Sequence, residues 1–352
     1  MGREIIQGDT DAQAGLQRTP QRVIMLAALL LFVSWAGGLA LPSAGQPSEG
    51  DAWPSVSAGA ERGLSPGVRA LMQETDAGAV PAHFIGPDTY GASPQNWNVA
   101  QDSSGVLYIA NTDGVLIYDG RSWQTVPVAN RSVVRSVAVD EAGRVFVGSQ
   151  RDIGVLRRDS LGHYRYASLL TNVPEADRTF TDVWHTDVTS EGVYFQAKRR
   201  LMRWNPERQQ MRVWSRDTPF HVATAVRDTL FVSVDQKNLM YVRGDSLHAA
   251  EDGSFFADQA VRFILPHGDD GLLVGTNRGL FARRGGTYQR VPTEADPLLE
   301  DAWVYTAETG PGGLIGFTTI NRGVFVISPT GQLLRHWTPQ DSPVLDLFVD
   351  RE

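Results

Sequence analysis

The stretch Trp97–Gly120, WNVAQDSSGVLYIANTDGVLIYDG, returns in altered form five more times before the C-terminus. It holds an alternating apolar segment, a tight turn ending at Gly105, a strand-like run Val106–Ala110, a polar loop Asn111–Asp113, and a third run Val115–Tyr118 closed by Asp119-Gly120. With the turn glycine as a ruler, the copies fall at Gly105, Gly143, Gly192, a degenerate Asp228-Thr229, Gly271 and Gly313, about 42 residues apart. That spacing suits one four-stranded propeller blade of ~40–45 residues and is too long for a leucine-rich repeat. Short strands at regular spacing joined by turn residues predict an all-β array.

Each copy divides into four strands, a to d. The a strands are predicted at 98–101, 133–139, 182–188, 222–226, 261–265 and 303–307, and the b strands at 106–110, 144–148, 193–197, 230–234, 272–275 and 314–317. The c strands follow at 115–118, 154–157, 201–204, 239–242, 280–283 and 324–327, and the d strands at 123–126, 164–167, 211–214, 247–250, 288–291 and 333–337. The b strands are apolar at nearly every residue, as when both faces pack between neighbouring blades, and the more polar d strands suit an outer edge. Closing the array into a ring protects its first and last edges. Val344–Asp350 aligns with Val134–Asp140, so the expectation is a β-propeller of six complete blades plus the first strand of a seventh, an array cut within that blade. His83–Pro87 stands where a d strand belongs and is placed to complete the last blade across the closure.

Ahead of the array, Val23–Leu41 is nineteen residues without a charge, long enough to cross roughly 30 Å of hydrocarbon as a helix. Arg18 and Arg22 precede it and no basic residue follows until Arg62, which places residues 1–22 in the cytoplasm as a leader and exports the rest to the periplasmic or extracellular side. Gly37-Gly38 and Ala40 fit a signal-peptide cleavage region after Ala40 or Ala44, whereas the long leader fits a retained transmembrane anchor. Residues 42–80, rich in Ala, Gly, Ser and Pro, read as a flexible linker, and 81–352 as the propeller. The net charge of -8 argues against a nucleic-acid partner, and the lack of cysteine removes disulfides, thiolate metal sites and thiol nucleophiles.

At Gln95–Gly120 the segments QNWNVAQD, GVLYIAN and GVLIYDG, with Tyr90-Gly91 before and Trp123 after, resemble the two-component regulator propeller family, the extracytoplasmic sensor regions of bacterial membrane signalling proteins. The resemblance spans roughly 81–352, is strong in the first two copies and weak in the third and fourth. It implies a signalling input module whose kinase, cyclase or DNA-binding output lies elsewhere. The family's repeat motif is structural, so it carries no ligand-contacting residue to this chain.

No catalytic motif stands out: H-E-x-x-H, G-x-S-x-G and Walker-type loops are missing, and no His pair has metal spacing. No cofactor, metal or catalytic residue is therefore expected, and the chain reads as a binding module rather than an enzyme. His185 beside Trp184 and His267 beside Gly268 read as structural or solvated, and Asp102, Asp140 and Asp350 as turn formers.

Topology singles out one face. In an up-and-down blade the d–a connections and b–c loops share one face of the ring. The six b–c loops sum to +4 in a chain of -8, with Arg151, Arg199, Arg200, Lys237, Arg278 and Arg322 in five successive copies. Trp97, Trp184 and Trp303 mark the starts of a strands on the same side. Arginine forks bind oxyanions in a bidentate manner and apolar sugar faces stack on indole, so these nine residues are the candidate ligand site, with an acidic oligosaccharide as the expected ligand. The plainer alternative is wet, charged hairpins and tryptophans packed between blades. Two other functions fit a propeller: a polysaccharide lyase or glycosidase, which needs a converging His/Tyr or paired-carboxylate site, and an adhesion or scaffold surface.

Overall fold

The computed structural model describes residues 23–27, 85–235, 238–268, 271–284, 286–299, 302–337 and 344–349. Six four-stranded antiparallel sheets follow one another, each made of four consecutive strands in sequence order. All twenty-four lie within two residues of the expected boundaries, from Asn96–Gln101 in the first blade to Leu333–Trp337 in the sixth.

Each innermost strand packs beside the next, and Val344–Val349 lies between the inner strands of the sixth and first blades. The ring is therefore sevenfold at its axis, with six full blades. Every residue of the b strands Leu107–Asn111, Val145–Ser149 and Gly192–Ala197 is buried, while outer strands such as Tyr164–Ser168 have no buried residue. Packing between blades is aromatic and aliphatic, as where the Phe146 and Phe195 rings meet edge to face at 6.5 Å.

The turns behave as their residue types require. Asp102 accepts from Ser104 N at 2.9 Å and Val106 N at 3.1 Å, and Asp140 accepts from Ala142 N and Arg144 N in the same way. Asp350 lies outside the described residues.

Two N-terminal segments differ from expectation. Pro87–Tyr90 is one helical turn rather than an outer strand, because proline presets the first helical position and Gly91 at φ 68° closes the turn. Its Tyr90 is buried, with its ring 5.6 Å from that of Trp123. Val23–Ala27, the start of the expected hydrophobic helix, is instead a strand antiparallel to Val344–Val349. An unpaired inner edge is a template for any extended segment, and this pairing occupies the b position of the seventh blade. Residues 28–41 of that run lie outside the described residues, as do the leader and the linker. Among the described residues no helix is long and apolar enough to cross a membrane.

Candidate functional site

The seven inner strands share an irregularity that organises the axis. In the first blade Asn96 pairs with Asn111 and Asn98 with Ala110, so Trp97 is the extra residue of a β-bulge. The same one-residue slip follows the first pair in every other inner strand, at Arg135, Trp184, His221-Val222, Arg262, Tyr305-Thr306 and Leu345. A bulge bends its strand and re-aims the side chain it adds. Each slip lies where the inner strand begins and the b strand ends, which is the face carrying the b–c hairpins. One column, Trp97, Arg135, Trp184, His221, Arg262 and Tyr305, therefore forms a collar at one mouth of the axis.

On one side of the collar the Arg135 guanidinium lies 3.9 Å from the Trp97 ring centroid and 4.7 Å from that of Trp184. Arg135 Nε also donates to Asp182 Oδ1 at 2.7 Å, so this cation is compensated. Trp97 Nε1 and Arg135 Nη1 are buried with no hydrogen-bond partner among the described residues. On another side Arg262 lies 5.8 Å from the Trp303 ring, and no carboxylate among the described residues pairs with it. Partial burial lowers its pKa. Burial and then the Arg262 charge hold His221 low, and burial and then His221 push His185 down to about 4. Tyr305 is raised by burial and then by Asp346, with Arg135 pulling the other way, so its phenol lies within electrostatic reach of residues from two other blades.

Further along the inner strands are three carboxylates. Burial pushes Asp187 and Asp346 up to about 7 and also raises Glu308, whose charge adds to the shift at Asp346. Two of them have a structural task, since the inner edge of each blade leaves N–H groups that no strand can pair. Asp346 accepts from Val99 N at 2.9 Å and Asn98 Nδ2 at 3.1 Å across the closure between the seventh and first blades. Asn98 Oδ1 accepts from Val137 N at 2.8 Å, and Asp187 from Ala225 N at 2.8 Å. No group of three or more His, Asp or Glu suited to a metal ion occurs among the described residues.

Of the residues expected from sequence, Trp97 and Trp184 meet around Arg135, with ring centroids 6.0 Å apart, and Trp303 stands 58% exposed beside Arg262. Arg200 lies 2.9 Å from Asp177 and Arg278 donates to Asp258 at 2.6 Å, so both have carboxylate partners from the connections beside them. Arg151, Arg199 and Arg322 are exposed on their hairpins, and Lys237 lies outside the described residues. Arg135, His221, Arg262 and Tyr305 were not expected. Aligning the a strands, as with Val344–Asp350 on Val134–Asp140, would have put them in one column with Trp97 and Trp184.

No protein-family model matches the chain, and no curated protein matches it in sequence. Solved structures do match in fold. One is an extracellular domain assigned to a hybrid two-component system of B. thetaiotaomicron, 16% identical with a TM-score of 0.55 over 73% of this chain. The chain spans 36% of that structure's length. The WD40 β-propeller domain of Doa1 is 15% identical with a TM-score of 0.55, over 72% of this chain and 88% of its own. Virginiamycin B lyase from Staphylococcus aureus is 13% identical with a TM-score of 0.51, over 70% of this chain and 84% of its own. At these identities the likeness is one of fold.

Proposed function

We propose that this chain is an exported, ligand-binding propeller, the input module of a bacterial membrane signalling system. Its ligand is an acidic oligosaccharide held at the collar. The observation that carries this is Arg262, a half-buried guanidinium without a carboxylate partner among the described residues, beside the exposed indole of Trp303 in a protein of charge -8. An uncompensated, partly desolvated cation gains most from an incoming oxyanion, and the neighbouring ring gives a sugar face its stacking surface. Arg135 is already balanced by Asp182 and serves to hold Trp97 and Trp184 in place. The fold likeness to an extracellular two-component domain, together with the repeat's resemblance to regulator propellers, supports the signalling role. The output unit would be a separate region or partner.

Oligogalacturonates are expected to raise the melting temperature and neutral malto-oligosaccharides to leave it unchanged. Arg262→Ala should weaken the acidic ligand about tenfold or more, the size of a lost charge-assisted hydrogen-bond pair. Equal response to both sugars, or full affinity in the variant, would refute the binding role of the collar.

A second role is supported by one observation. His221 and Tyr305 share the axis with the mutually repelling pair Asp346 and Glu308, the group types a polysaccharide lyase or glycosidase requires. Incubation with polyuronate separates the two: shortened or unsaturated products indicate an enzyme, and bound but intact sugar indicates a receptor.

A further inference from the structure

A cavity of about 620 Å³ lies off the axis over the second blade. Its walls are the Ser149–Asp152 hairpin and the connections entering and leaving that blade, with Asn130, Ser132, Gln150, Arg151, Asp152 and Ser168 among its lining. This is within the roughly 300–1,000 Å³ typical of small-molecule pockets. We propose that it is a second anion subsite, in which Arg131 and Arg151 clamp the carboxylate of an acidic sugar unit.

Backbone geometry is the first support. Arg131 at φ 53° and Arg151 at φ 65° both adopt the left-handed conformation, which costs a non-glycine residue about 1 kcal/mol or more. Hydrogen bonds hold them there, Arg131 N to Val128 O at 3.0 Å and Arg151 N to Thr181 O at 2.9 Å. Glycine or asparagine would relieve the strain, yet arginine occupies both places, and strain of this kind collects at ligand clamps. Charge is the second support. Neither guanidinium pairs with a carboxylate among the described residues, whereas Arg135, Arg200, Arg203 and Arg278 each do.

The cavity floor is built and polar. Asp152 is buried, and its Oδ1 accepts from Ser168 Oγ at 2.6 Å and Ile153 N at 2.9 Å. Ser132 Oγ donates to Gln150 O at 2.8 Å, which leaves its lone pairs for a sugar hydroxyl. Gln150 also forms a β-bridge with Asp182, the residue that holds Arg135 at the collar. Cavity and collar therefore share one strand of backbone, and an extended acidic chain can engage both. The sugar's identity rests on the function proposed above, while the anion clamp does not.

Phenylglyoxal labelling read by peptide mass spectrometry tests the clamp, with galacturonate as the probe and exposed Arg121 as the reference. Labelling of Arg131 and Arg151 is expected to slow about fivefold at a sugar concentration about four times its Kd, by simple occupancy, with Arg121 unchanged. Arg262→Ala should leave this protection intact, which separates the cavity from the collar. Unprotected labelling of the two arginines in the wild-type protein overturns the subsite, whether or not the collar binds. Protection that disappears in Arg262→Ala overturns it as an independent site.

Discussion

Gly114→Ala is expected to lower the melting temperature by about 8 °C, on the basis of about 3 kcal/mol or more lost and roughly 2–4 °C per kcal/mol for a domain of this size. Gly114 opens the third strand of the first blade at φ 142°, a conformation that L side chains rarely adopt. A Cβ there would stand 2.3 Å from Val126 O and 2.9 Å from Pro127 Cα, both backbone atoms that cannot swing aside. The fourth strand would have to leave its ladder to make room. Gly120, six residues on, is the internal control: it has φ 88° but nothing within 4 Å of its Cβ position. Gly120→Ala should cost only about 1 kcal/mol of backbone strain. Thermal unfolding followed by circular dichroism compares the two, and equal shifts would show that the close approach to Val126 carries no weight.

The second large effect is a reversal of pH dependence. Asp187 and Asp346 are pushed up to about 7 in the folded protein, against about 3.9 when unfolded. Between those values the folded state holds protons that the unfolded chain has released, so each residue adds stability as pH falls through about 7. Burial raises Glu308 in the same sense. His185 acts oppositely: it is held at about 4 when folded, so the unfolded chain takes up its proton first, and stability is lost as pH falls below about 6.5. His221, also held low, adds to that loss.

From pH 8 to 6.5 the carboxylates dominate, and the wild-type protein should gain about 1 kcal/mol or less from each aspartate. In the double variant Asp187→Asn, Asp346→Asn, the amide oxygens still accept from Ala225 N and Val99 N, but most of the gain disappears. Below pH 6.5 the histidines then dominate and stability falls. Denaturant midpoints measured at steps between pH 8 and 5 check this, and parallel curves for the two proteins would refute the assignment.

The acidic interior and the basic, aromatic collar also set what can approach the axis. An anion meets Arg262 before it meets Asp187, Glu308 or Asp346, so favourable binding ends at the collar. A ligand fully threaded through the axis would need a cationic or neutral leading end. Acidic sugar at the mouth and in the cavity of the second blade is consistent with that order of charges.

Local chemistry accounts for what was legible beforehand. The alternation within strands, the turn glycines at about 42-residue spacing and the Asp102-type turns are properties of neighbouring residues, and they place all twenty-four blade strands. The same pattern put Trp97, Trp184 and Trp303 on the face of the ring where they are found. Three things depended on residues far apart in the chain. The bulge that turns Arg135, His221, Arg262 and Tyr305 toward one axis exists only once each inner strand is paired with its neighbour. The partners that neutralise Arg200 and Arg278, and the absence of one for Arg262, were decided by which connections fold over which hairpins. Ring closure likewise brought Asp346 to Val99, 247 positions away, and made a surface-type residue into a buried acceptor. Periodicity encodes strands because hydrogen bonding and side-chain alternation are local. Charge compensation and convergence are global, and only the closed ring determined them.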